Sequence, residues 1–118
     1  MNICTVKIPD ISKDMQFTLL QQIADDTSVI IIFKTFFRSD DIIIDVYKDD
    51  INNSSKIISG VRLTPNSLIC LPNRDINFPY YINCVDQDRV SIPINKNNAH
   101  KFYLQFTSYD SGRINQEQ

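Results

Sequence analysis

The chain has 118 residues, 42% of them hydrophobic and 22% charged, with a formal net charge of −2; this is enough apolar material for one core and predicts a single β-domain over residues 1–107 with a polar tail over 108–118. No apolar run approaches the roughly 20 residues of a membrane span, Met1–Asp10 lacks the basic and apolar regions of an export signal, and the lysines and arginines form no cluster that would grip nucleic acid. Glu117 is the only glutamate and Ala24 and Ala99 the only alanines, so two strong helix formers are nearly missing while β-branched and aromatic residues abound.

Along the chain, Cys4, Val6 and Ile8 share one face of a first strand that Pro9-Asp10 ends. Gln16–Gln21 reads as a second strand, Asp25-Asp26 as a turn, and Thr27–Phe37 as a central strand, apolar on both faces. Arg38-Ser39-Asp40-Asp41 predicts a turn into Ile42–Tyr47, where Ile42, Ile44 and Val46 alternate with Asp45. After the polar loop Lys48–Ser55 comes a strand over Lys56–Leu63, in which Gly60 marks a bulge or a close backbone approach. Pro65, Pro72 and Pro79 predict an ordered connection without regular pairing from Thr64 to Pro79. Strand character resumes at Tyr80–Val85, again in a short edge piece at Val90–Ile94, and finally at Lys101–Thr107, where Phe102, Leu104 and Phe106 share a face. About eight strands with regularly spaced turn signals predict an all-β fold, a small antiparallel sandwich or barrel.

The chemistry-bearing residues predict no enzyme. His100, the only histidine, has no carboxylate beside it in sequence, and Cys4, Cys70 and Cys84 show no ligand-like pairing; they read as reduced, mostly buried thiols. The pairs Asp25-Asp26, Asp40-Asp41 and Asp49-Asp50 read as solvated turns, Asp86-x-Asp88 lacks the glycine and glutamate of a calcium loop, and two glycines in the whole chain, Gly60 and Gly112, cannot make a phosphate-cradling loop. No cofactor or metal is expected. Phe78, Tyr80, Tyr81, Phe102, Tyr103 and Phe106 have no interleaved basic residues for stacking nucleic acid, which leaves them as core or as protein-interface anchors.

The run Lys56-Ile57-Ile58-Ser59-Gly60-Val61-Arg62-Leu63-Thr64-Pro65-Asn66-Ser67-Leu68 resembles the small plug proteins of contractile phage-tail baseplates, of the cyanophage type. The likeness extends over Gln16-x-x-Leu19 with Phe17, Ile44-Asp45-Val46-Tyr47 and the closing Phe102-Tyr103-Leu104-Gln105-Phe106. The chain departs from the family in its glycine-poor turns, Val85–Arg89 and Asn95–Asn98, where Asn and Asp can supply left-handed backbone. The resemblance implies a structural virion component, made in the host cytoplasm and built into the tail baseplate. Several copies, a trimer or alternatively a hexamer, would close the distal end of the tail tube against the tube and hub or spike proteins and leave on contraction. The competing expectation is a small soluble β-sandwich module that binds one host protein. Either role needs contact residues, and the candidates are Arg62, Leu63, Pro65, Leu68, Phe78, Tyr80 and Tyr81, the aromatics being anchors if they are exposed.

Overall fold

Where apolar residues alternate, the chain extends and pairs with its neighbour. The computed structural model describes residues 3–11, 15–36, 39–86 and 92–108. Its strands are β1 (Ile3–Lys7), β2 (Gln16–Ala24), β3 (Thr27–Phe36), β4 (Ser39–Lys48), β5 (Lys56–Arg62), β6 (Ser67–Cys70), β7 (Tyr80–Asp86) and β8 (Phe102–Ser108), with short 3-10 turns at Asn53–Ser55 and Ala99–Lys101. They form two four-stranded antiparallel sheets of order β1-β8-β7-β6 and β2-β3-β4-β5. The fold is an all-β sandwich.

The second sheet is a meander of neighbouring strands, whereas the first is closed by β1 lying along β8, with Ile3 opposite Thr107 and Lys7 opposite Tyr103. Between the sheets, Val29, Ile31 and Phe33 of β3 and Ile44 and Val46 of β4 meet Ile82 and Cys84 of β7 and Phe102, Leu104 and Phe106 of β8, all buried. Ile8 and Ile11 follow β1 into the same core. Phe78 stands edge-on to Phe106 at 6.5 Å and tilted against Tyr80 at 5.1 Å, geometries that suit the aromatic quadrupole. Each such side chain contributes on the order of 1.5–3 kcal/mol by leaving water.

Three expectations change. The stretch between Pro65 and Pro72 does pair: β6 bonds to β7 with Ser67 opposite Cys84, because the prolines bracket the four residues rather than interrupt them. Asp40 and Asp41 belong to β4 instead of a turn; Arg38 lies outside the described residues. Ile92–Ile94 is not strand, although Ile94 is buried; Val90 and Ser91 lie outside the described residues, as do residues 109–118. The number of strands still comes to eight because β6 offsets the Val90–Ile94 piece in the count.

Candidate functional site

The candidate contact residues separate by the parity of their strands. In β7 the buried residues are Tyr80, Ile82, Cys84 and Asp86, and Phe78 keeps the same phase across Pro79, so Phe78 and Tyr80 point between the sheets. Leu63 is buried too, fixed by its N–H donating to the Ile42 carbonyl at 2.9 Å. These three are core residues and not exposed anchors, a correction to the sequence expectation. Burial also pushes the Tyr80 phenol above its ordinary value, helped by the nearby Asp26 carboxylate and Cys4. Tyr81 and Pro65 are half-buried, while Arg62 and Leu68 are exposed. Arg62 reaches the Asp41 carboxylate at 3.1 Å.

Leu68 belongs to an open groove where the free edges of both sheets approach. Ile57 and Ile58 of β5 form one wall, Leu68, Ile69 and Cys70 of β6 the other, and Leu71–Asp75 the end, around a volume of about 550 Å³. Leu68 and Leu71 are 53% and 62% exposed, high values for leucines. The groove's shape follows from turn chemistry. Asn66 takes φ 54°, Ser67 Oγ donates to the Thr64 carbonyl at 2.7 Å, and the Asp86 N–H donates to Asn66 Oδ1 at 3.3 Å, which swings β6 onto β7. Beyond it, Asn73 and Phe78 exchange two backbone hydrogen bonds of 2.9 and 2.8 Å, and Asn77 takes φ 56° to close the loop that carries Arg74 and Asp75. Sequence reading placed contacts in 62–81 but missed Ile57 and Ile58, since only the meeting of β5 with β6 brings them there.

The β5 wall is shaped by a buried acid on β4, opposite Ile32 of β3. Asp45 accepts from Lys34 Nζ at 2.5 Å and from the Gly60 N–H at 2.7 Å, with only 6% of its side chain exposed. Burial alone would raise its carboxyl; the Lys34 and Gly60 hydrogen bonds and the charges of Lys34 and Lys56 outweigh that and hold it below the ordinary value. Gly60 has φ +66° within the pairing shift between Ile44–Val61 and Val46–Ile58, so the expected bulge is present. Lys56 lies over the Tyr47 ring at 5.5 Å.

All three cysteines are free thiols. Burial raises Cys70 to about 11, and burial with the Asp86 carboxylate raises Cys84 to about 12, so neither supplies a thiolate near neutral pH. Among the described residues, no three His, Cys, Asp or Glu side chains gather as a metal site would require, and no helix is long and apolar enough to cross a membrane. The groove offers apolar contact and a flanking pair of opposite charges, Arg74 and Asp75. No family model, curated protein or solved structure matches this chain.

Proposed function

We propose that the protein is a structural assembly subunit without catalytic activity, the plug of a contractile phage-tail baseplate. It would act as a homo-oligomer, a trimer or alternatively a hexamer, at the distal end of the tail tube against hub or spike and tube proteins. The plug assignment rests on the order and spacing of the residues that resemble that family. The observation that carries the assembly role is the groove between β5 and β6, where Leu68 and Leu71 stand exposed beside open sheet edges. Such a surface suits a protein segment seated by side-chain contact: the leucines offer apolar area, with Arg74 and Asp75 as flanking charges. Arg62, Pro65, Leu68 and half-buried Tyr81 are what remains of the contact set once Leu63, Phe78 and Tyr80 are assigned to the core, and of these Leu68 lines the groove.

The test is mass spectrometry of purified intact particles beside particles triggered to contract. The plug reading expects the chain in intact tails and its loss after contraction. Absence from both leaves a soluble module that binds a host protein, and for that module the same groove is the surface to probe by substituting Leu68 and Leu71 with Asp.

A further inference from the structure

Three of the four sheet edges carry features that discourage pairing with another chain. β1 has five residues, includes Lys7 and runs into Pro9. β5 carries Lys56 and Arg62 and is bent by two register shifts. β6 has four residues and a shift between Leu68 and Cys70. Short length, charge and bulges are the means by which edge strands avoid adding a neighbour.

β2 is longer, and its single shift lies at its far end, between Gln22 and Ala24. Its nine residues, Gln-Phe-Thr-Leu-Leu-Gln-Gln-Ile-Ala, include no charge and no proline, and seven successive pairs from Gln16 opposite Lys34 to Gln22 opposite Ser28 run without a shift. Among the described residues, nothing pairs with its outer side. Leu20, at 66%, is the most exposed large hydrophobic residue described, and Met15, at the start of the strand, reaches 61%.

The backbone phase is also set. The Thr35 N–H donates to the Met15 carbonyl at 2.8 Å, so by the alternation of an antiparallel ladder the odd-numbered residues of β2 bond to β3 and the even-numbered ones, Gln16, Thr18, Leu20 and Gln22, turn their N–H and C=O outward. At the far end the Gln22 carbonyl accepts from Gln21 Nε2 at 3.0 Å, a side chain occupying the place a strand would take.

The geometry points to a second copy of this chain as the occupant, joined antiparallel along β2 about a two-fold axis through Leu19. That register sets Gln16 opposite Gln22 and Thr18 opposite Leu20 in both directions. All four outward-facing residues fall in hydrogen-bonded positions, giving about eight backbone hydrogen bonds, and Leu19 faces its twin in the close, non-hydrogen-bonded position. A two-fold pair sets each strand against its own sequence, so any charge near the axis would meet its like; β2 has none. The outer row Leu20–Ile30–Tyr47, read from the register, would continue across the seam into the row Thr18–Ile32–Asp45 of the second copy. This pairing describes a dimer, or the seam between two trimers of a hexamer, and not the contact within a three-membered ring. It does not depend on the plug reading.

Sedimentation velocity of the purified full chain between about 1 and 200 μM, with Leu20→Lys and Thr18→Lys beside it, tests the pairing. The expected result is a concentration-dependent dimer that either lysine weakens at least tenfold, with circular dichroism and thermal midpoint kept. Under mild oxidation in a Cys4→Ser background, Leu19→Cys is expected to cross-link to its twin, while Gln21→Cys, opposite Phe17, does not. A wild-type monomer throughout the range, an oligomer indifferent to both lysines, or equal cross-linking at 19 and 21 would overturn it. A monomer that is still found in intact particles would overturn this pairing and leave the plug reading standing.

Discussion

The two edges of the second sheet face the same solvent with opposite constructions. β5 is bent at Gly60, tied through Asp45 to Lys34 and studded with Lys56 and Arg62, whereas β2 is straight, uncharged and regular over Gln16–Gln22. The difference begins in the sequence of a single neighbour, β4. An acid at position 45, where the apolar alternation leaves a slot facing out of the sandwich, recruits a lysine from β3 and a glycine N–H from β5, and the bulge follows. β3 carries no acid that could tie β2 in the same way. A sheet can therefore be closed to strand pairing on one side by distortion while its other side keeps the regularity that an added strand needs.

Core and edge substitutions sharpen that contrast, and the largest loss is expected away from both edges. Tyr80→Ala removes a buried ring packed on Phe78 and is expected to cost about 3 kcal/mol in urea unfolding; a cost below about 1 kcal/mol would mean that the ring is not part of the core. Next comes Asp45→Ala, which leaves the Gly60 N–H without its acceptor and is expected to cost about 2 kcal/mol. Because the folded carboxyl lies below its unfolded value, this contribution is present above about pH 4 and fades as pH falls through the folded value. Unfolding curves of wild type and Asp45→Ala should accordingly converge in acid. Gly60→Ala is expected to cost about 1 kcal/mol by the same assay, all of it backbone strain at φ +66°, since an added Cβ meets nothing within 4 Å. Arg62→Ala, removing an exposed ion pair with Asp41, should change stability by less than about 0.5 kcal/mol. On the plug reading it should still weaken ring assembly in native mass spectrometry.

The strands with sustained alternation were legible in the sequence. Phe102, Leu104 and Phe106 lie inside as their spacing requires, and Val29, Ile31 and Phe33 do likewise. β6 was hidden because four residues are too few to show a period and the prolines on either side read as interruptions when they are boundaries. Phe78 and Tyr80 were weighed by residue type, which gives size and chemistry but not the face. Their phase with Ile82 and Cys84 was present in the sequence and would have placed them inside. Asp45 was readable as outward-facing, yet its ties to Lys34 and Gly60 need the pairing of three strands, and the groove needs the meeting of two sheets. Such long-range placements leave no local pattern to read.

The pairing of β1 with β8 also orders events in time. The strands β2 to β5 each find their partner next along the chain, so that sheet needs only short loops to close and can form while the rest is still being synthesised. Ile3 must wait for Thr107, and until β8 emerges from the ribosome β1 and one side of β7 present unpaired backbone, and Val6, Ile82 and Cys84 their apolar faces, to solvent. The slow step of folding, and the interval in which chaperones or misassembly compete for the chain, should then be the arrival of its last strand.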